Sequence, residues 1–339
     1  MALCCDCEAL DEAFERFITC KPVQPNTCSR IMETITDHLR VPWCDGQGAR
    51  KLDPDILMAA VLLLTTMFIA SQSWTATIVV FGLLPFLLIA TYIRYLKIRT
   101  QTKFFFAWTV LSFSFLLGIF QFEVVPYLEI LFSENFILMC FVAIMCLCGY
   151  LTKQGPGQPP NGEVSDQEEG AIKDAVNLVI EDQKTKCRVC SIHQPHRCSH
   201  CRICNQCVLR RDHHCVWLDC CIGAKNHRYF IIGLVALIIV CCYGANLTLT
   251  TICQPKLVWG TVYLPDSCND VYGDIHIAMC FVSAVYALLI AALAVLALGQ
   301  QLWFICCNTT VQEWRRGRQG HYSHGILCNC WKFWCGGNL

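Results

Sequence analysis

The sequence predicts an all-α polytopic membrane protein of about six transmembrane helices, carrying a small cytosolic zinc-binding cysteine-rich domain. Three observations predict it. The 339-residue chain is 55% hydrophobic and 15% charged, whereas a soluble domain is about a quarter charged. Six stretches approach the roughly 20 apolar residues that cross a bilayer. Nine of the 28 cysteines fall between Cys187 and Cys221. Net charge is zero and names no partner.

The spans are expected at about Ile56–Ala70, Ala76–Ile93, Phe104–Phe120, Asn135–Leu151, Tyr229–Leu249 and Ile275–Cys306. The first is short and is parted from the second by SQSWT. The N-terminus lacks a basic run followed by an apolar one, so no cleaved signal peptide is expected. Basic residues set the orientation. Arg94, Lys97, Arg99 and Lys103 lie between the second and third spans, the long 152–228 segment is rich in Lys and Arg, and the tail opens with WRRGR. The intervening loops hold no Lys or Arg except Lys256. This alternation places both termini in the cytosol. It divides the chain into a cytosolic segment (1–53), four helices (54–151), a cytosolic linker (152–186), the cysteine-rich domain (187–228), two helices (229–307) and a cytosolic tail (308–339). GPGQPPNGEVSDQEEG reads as a flexible linker from Gly155 onward. AIKDAVNLVIEDQ has helical spacing and suits a packing or membrane-surface helix.

The cysteine-rich block reads CRVCSIHQPHRCSHCRICNQCVLRRDHHCVWLDCC. Cys187/Cys190, Cys201/Cys204 and Cys204/Cys207 are CxxC steps, a spacing that lets two thiolates grip one tetrahedral Zn²⁺. A reducing cytosol favours metal over disulfides there. The block has few bulky apolar residues, so metal must supply folding energy. Two closed sites need eight ligands. An interleaved division gives Cys187, Cys190, His200 and Cys207 to one metal and Cys201, Cys204, His214 and Cys221 to the other; a sequential division is equally legal on spacing. Under the interleaved one, Asp212, His213 and Cys215 stay unbound. A thiol beside an imidazole is readily deprotonated, and a carboxylate on the other ring nitrogen fixes the imidazole. The fifth span starts a few residues later, so this thiol is tethered at the membrane face.

The block resembles the cysteine-rich domain of the DHHC family of protein S-acyltransferases, the palmitoyltransferases. The likeness runs from Cys187 to Phe230 and includes Pro195, Arg197, His200-Cys201, Asp212-His213-His214-Cys215, Cys221, Asn226 and Phe230. It implies a ping-pong enzyme. Cys215 would take a long-chain acyl group, such as palmitoyl, from acyl-CoA as a thioester and pass it to a cysteine of a client protein. His213 would be the base and Asp212 its orienting carboxylate. The interleaved set of ligands for two structural zincs is the family's arrangement. The acyl chain would lie among the transmembrane helices, with Trp217 and Asn226 beside the substrate. Arg210, Arg211, Lys225 and Arg228, together with His227, would meet the CoA phosphates or anchor at lipid headgroups. Partners implied are acyl-CoA, membrane lipid and clients with juxtamembrane cysteines, but no nucleic acid, since no helix is built to read bases. The Golgi, endoplasmic reticulum and plasma membrane are the compartments the family suggests. The alternatives are a membrane-anchored zinc scaffold and a catalytically inactive family member.

Several features depart from the family pattern. Val216 replaces a common proline. Cys220 adds a thiol beside Cys221. Thr309-Thr310-Val311-Gln312-Glu313 has one residue more than Thr-Thr-x-Glu, so either threonine can start the motif. KQGPG at Gly155 is the nearest thing to Asp-Pro-Gly. Cys4, Cys5, Cys7, Cys20, Cys28 and Cys44, with Cys328, Cys330 and Cys335, are candidates for acylation or a third metal, although plain thiols near a membrane are the simpler reading. Cys253 and Cys268 are placed on the lumenal side, where a disulfide is permitted.

Overall fold

Asp53 opens the first long helix by accepting the Asp55 N–H at 3.2 Å, with Pro54 at the first helical position, where its missing N–H costs nothing. In the computed structural model, the residues described are 15–16, 19, 40–42, 49–51, 53–98, 102–159, 186–192, 194–195, 197–258, 262–317, 320 and 322–336. The cysteines before position 53 and the AIKDAVNLVIEDQ segment lie outside them, as does most of the linker. A short ribbon, β1 (Arg40–Pro42) paired antiparallel with β2 (Ala49–Lys51), precedes the helices.

Six helices carry the apolar stretches: α1 (Pro54–Ala70), α2 (Trp74–Ile98), α3 (Phe104–Ile119), α4 (Phe132–Lys153), α5 (His227–Ile252) and α6 (Ile275–Cys306). Among the described residues, five spans are long and apolar enough to cross a membrane, and α1, at 17 residues, is a shorter apolar helix. At 1.5 Å per residue it is about 25 Å long, a little under the ~30 Å hydrocarbon core. The span built on α3 outruns its expected end. It continues through a π turn at Phe120–Val124 to Tyr127, with Pro126 following the widened turn. Ala59, Leu63 and Met67, spaced four apart, are buried in the same apolar cluster as Phe104, Phe105 and Trp108 of α3. Inside the bundle, Trp108 Nε1 donates to Tyr286 Oη at 3.0 Å, and the Ser112 hydroxyl meets the same oxygen at 2.8 Å. Polar groups among apolar helices have no water and must pair in this way.

The cysteine-rich segment forms two antiparallel hairpins, β3 (Ser199–Cys201) with β4 (Gln206–Val208) and β5 (His213–Cys215) with β6 (Cys220–Ile222). It sits between α4 and α5. At the other end of α5, β7 (Gln254–Val258) pairs with β8 (Val262–Ser267), and a disulfide joins Cys253 to Cys268. Beyond α6 the chain turns back through α7 (Val311–Arg315) and α8 (Ile326–Trp334). Phe333 of α8 is buried with Ile231 and Ile305.

One expectation changes here. The flexible linker does not begin at Gly155. Gly157 O accepts from Leu209 N at 3.1 Å and Pro156 O from Lys225 N at 3.1 Å, so the Gly-Pro-Gly strip is zipped onto the cysteine-rich domain. Gly155 and Gly157 have φ of 134° and 90°, which favour glycine. A Cβ on Gly223 would lie 2.9 Å from Pro156 O and 2.6 Å from Val208 Cγ1, so only glycine fits under the strip.

Candidate functional site

The pleat of the two hairpins sorts the cysteines and histidines. Successive strand residues point to opposite faces. His200 and Cys201 are neighbours on β3 and therefore diverge. His200 joins Cys187, Cys190 and the cross-strand partner Cys207; Cys201 joins Cys204, His214 and Cys221. In each group the ligand atoms lie within 4.8 Å of one another. Cys190 Sγ is 3.3 Å from Cys207 Sγ and 3.7 Å from His200 Nδ1. Cys204 Sγ is 3.3 Å from His214 Nδ1 and 3.5 Å from Cys221 Sγ. Tetrahedral zinc with ~2.3 Å sulfur bonds has ligand edges of about 3.8 Å, so both cages fit one ion with modest expansion. Gln194 Nε2 donates to Cys207 Sγ at 3.4 Å, and Asp219 Oδ1 lies 3.7 Å from His214 Nε2. Such outer contacts orient metal ligands.

On β5 the same alternation turns His214 toward the metal cage. It turns His213 and Cys215, two residues apart, to the opposite face. Cys220 is the cross-strand partner of Cys215, belongs to neither cage and is buried with Cys215 and Ile222. Burial and the Cys215 charge push its thiol up to about 12, which keeps it protonated.

Asp212 is the pivot. Its side chain is fully buried. Its Oδ2 accepts from His213 Nδ1 at 2.7 Å and from Gln301 Nε2 at 3.1 Å, and its Oδ1 from Val311 N at 2.8 Å. Burial alone would raise its pKa. The hydrogen bond from His213, the charges of His227 and His213 and the Val311 N–H outweigh burial and hold it at about 2. Burial likewise works against protonating His213, but Asp212 and Cys215 together raise it to about 9. With Nδ1 engaged by Asp212, Nε2 is left for Cys215. Burial raises the Cys215 thiol. Its hydrogen bond with His213, the imidazolium charge and the N–H groups of Leu218 and Trp217 bring it below the ordinary thiol value. Phe230 packs edge-on to the His213 ring, centroids 5.6 Å apart.

The remaining sequence candidates divide. Trp217 is partly exposed and meets Phe105 edge-on at 5.1 Å. Lys225 is exposed. Asn226 is buried and clamps the chain: Nδ2 donates to Thr152 O at 2.7 Å and Cys221 O at 2.9 Å, while Oδ1 accepts from Gly223 N at 2.9 Å. Arg228 Nε donates to Phe333 O at 2.6 Å, which fastens α8. Arg210 Nη2 donates to Asn308 Oδ1 at 2.9 Å and Arg211 Nη1 to His200 O at 3.1 Å. Each of these two keeps a buried Nε without a partner.

Sequence reasoning missed Gln301, Asn308 and the main chain of Val311. Only the threonine motif gave a signal. Thr310 and Glu313 form a capping box: Thr310 Oγ1 accepts from Glu313 N at 3.2 Å, and Glu313 Oε2 from Thr310 N at 2.8 Å, as Thr-x-x-Glu ahead of a helix predicts. The extra residue thus assigns the start of the motif to Thr310. Glu313 also takes both Nε (2.7 Å) and Nη2 (2.8 Å) of Arg197, while Arg197 Nη1 donates to Asn308 Oδ1 at 3.0 Å. These contacts staple the tail to the cysteine-rich domain.

Both partners of that staple are about one-eighth exposed, so Arg197→Ala leaves a buried carboxylate unpaired. The expected cost is ~3–5 kcal/mol, read as a lowered unfolding temperature of the purified protein; an unchanged temperature would show that the pair holds nothing. Against burial, Arg197 and the Thr310 N–H keep the Glu313 carboxyl below its ordinary value. Its contribution is therefore present above the unfolded carboxylate pKa and is lost as pH falls through the lower folded one.

Comparison with known proteins follows the same residues. The model of the DHHC palmitoyltransferase family matches residues 180–318. The chain is similar to palmitoyltransferase ZDHHC23 of Homo sapiens, 31% identical over an aligned length of 362, with 96% of this chain and 87% of that one covered. It is 30% identical to the Rattus norvegicus protein of the same name, with 96% and 84% covered. Over 42% of its length it is 27% identical to palmitoyltransferase ZDHHC5-A of Danio rerio.

Proposed function

The chain belongs to the DHHC palmitoyltransferase family, and on that premise we propose that it moves a long-chain acyl group, such as palmitoyl, from acyl-CoA to client cysteines through a thioester on Cys215. The observation that carries this reading is the face of β5 that presents His213 and Cys215 together, with Asp212 behind His213 at 2.7 Å. The Cys215 thiolate attacks the thioester carbonyl of acyl-CoA. The C–S bond to CoA breaks, and the CoA thiolate leaves with the proton held on His213 Nε2. A client thiol then gives its proton to His213 and attacks the Cys215 thioester, which returns the thiolate. Asp212 holds the imidazole and balances its charge. The N–H groups of Trp217 and Leu218 steady the thiolate between turnovers.

The two Cys₃His cages suit structural Zn²⁺. When bound, such an ion holds its ligands closed and supplies folding energy. Exposed Lys225 suits a phosphate-facing role, while Arg210 and Arg211 donate to Asn308 Oδ1 and His200 O. Orientation has two supports. Lys and Arg alternate between loops, and the Cys253–Cys268 disulfide lies at the opposite end of α5 from the reduced thiols, as expected if that end faces an oxidising compartment. Both termini are then cytosolic. The clients that reach Cys215 are proteins with cysteines close to the membrane.

The test is intact-protein mass spectrometry after incubation with palmitoyl-CoA, on wild type and Cys215→Ser. One hydroxylamine-sensitive acyl group on the wild type and none on the variant is the expected result. A wild type that stays unmodified with two metals bound would turn the reading to a zinc scaffold.

A further inference from the structure

Gln301 lies on α6 next to Gln300, in a helix otherwise made of apolar residues around them, and His227 opens α5. Both are buried, at 4% and 6% exposure. Polar side chains at that depth need a purpose or a partner. Here each has the other: His227 Nε2 lies 2.7 Å from Gln301 Oε1, and Gln301 Nε2 donates to Asp212 Oδ2 at 3.1 Å. A carboxylate only accepts, so the Gln301 amide must present its NH₂ to Asp212 and its oxygen to His227. Rotating the amide by half a turn would set oxygen against the carboxylate. With Gln301 Oε1 facing it, His227 Nε2 must carry the donated proton, which selects the Nε2–H tautomer when the ring is neutral.

The geometry points to His227 and Gln301 as positioning residues for acyl transfer, acting in series through Asp212 on His213. The inference rests on the reading of Cys215 as the nucleophile. Asp212 Oδ2 is shared between Gln301 and His213, so the Gln301 N–H sets where that oxygen sits. The oxygen sets the plane of the His213 ring and hence the direction of Nε2 toward Cys215. Val311 N fixes the other oxygen at 2.8 Å. With both oxygens held, the carboxylate cannot swing. His227 is itself braced edge-on against Phe333 of α8 at 5.1 Å. The chain of contacts therefore ties two helices and the tail to one imidazole, and neither residue needs to touch acyl-CoA.

Time-resolved intact mass with palmitoyl-CoA on the full chain tests this. Gln301→Met keeps size and burial but removes both polar contacts. The rate of Cys215 acylation at saturating palmitoyl-CoA is expected to fall about tenfold, the worth of one buried hydrogen bond to a charged group. The half-saturating concentration and the content of two metals should be unchanged. His227→Phe should behave similarly, and His227→Gln, whose Nε2 reaches the same place, should restore most of the rate. The double variant His227→Phe/Gln301→Met should be no slower than Gln301→Met, since both cut one series. Gln301→Met acylating at the wild-type rate overturns the inference and leaves the acyltransferase reading intact. So does a His227→Gln variant as slow as His227→Phe, which would mark a packing role. A wild type that forms no adduct overturns both.

Discussion

Asp212→Asn is expected to slow acylation of Cys215 by about 10²–10⁴-fold, with both metals retained. The substitution is nearly isosteric, but it removes the charge that balances the His213 imidazolium. It also breaks the pattern of donors. Asp212 accepts from His213, Gln301 and Val311, and an amide can accept at only one of its two heteroatoms. If its oxygen meets Val311 N, its NH₂ faces the His213 Nδ1–H, and the ring loses its anchor. No ligand of either cage is altered, so metal content serves as the control. Time-resolved intact mass with palmitoyl-CoA, beside metal analysis of the same sample, reads both quantities. A variant that acylates at the wild-type rate with two metals would remove Asp212 from the mechanism.

The second large effect concerns the metals. Within 187–222 the buried apolar side chains other than cysteine are Val208 and Ile222, too few for a core. Structural zinc contributes ~10–16 kcal/mol to the folding of small modules at neutral pH, as large as a typical domain's whole margin of about 5–15 kcal/mol. Stripping metal with a strong chelator should therefore unfold the two hairpins while the helices in the bilayer persist. Alkylation followed by peptide mapping reads this directly. Cys187, Cys190, Cys201, Cys204, Cys207 and Cys221 should resist a thiol reagent until the chelator is added and then react together, with helical circular dichroism largely kept. Equal reactivity before and after chelation would show that no metal holds the cages.

Local chemistry made much of this protein legible. The apolar runs marked all six helices, and α6 falls at its expected bounds, because a long uninterrupted run leaves no other way to satisfy the backbone in lipid. The CxxC spacing marked the metal cages. The division proposed for the Asp212–Cys215 row was legible only through the resemblance to the DHHC family, because spacing left a sequential ligand division open; the strand alternation that separates His214 from His213 and Cys215 belongs to the folded hairpin. Contacts set by the tertiary fold were not legible. Gln301 is separated from Asp212 by 89 residues and Val311 by 99, and a glutamine next to Gln300 in an apolar helix shows no preference for which one turns inward. The Gly-Pro-Gly strip read as linker because its partners are backbone groups of Leu209 and Lys225, which no side-chain pattern announces. The resemblance sets Asn226 beside the substrate and Arg228 at CoA phosphates or headgroups; the sequence does not announce that Arg228 Nε donates to Phe333 O or that the Asn226 amide meets Thr152, Gly223 and Cys221.

The staple between Arg197 and Glu313 has a consequence for how the protein is made. The two residues are 116 positions apart, so at about 5–20 residues per second a ribosome adds the second on the order of ten seconds after the first. For most of that interval Cys215 has already been added, but Asp212 lacks Gln301 and Val311, two of its three donors. The last helix must enter the membrane and the tail must come back before the carboxylate is fully held. A chain that stalls, or that fails to insert α6, therefore carries its thiol in an unfinished setting. The order of residues along the chain puts the entry of α6 and the return of the tail last in assembling these contacts.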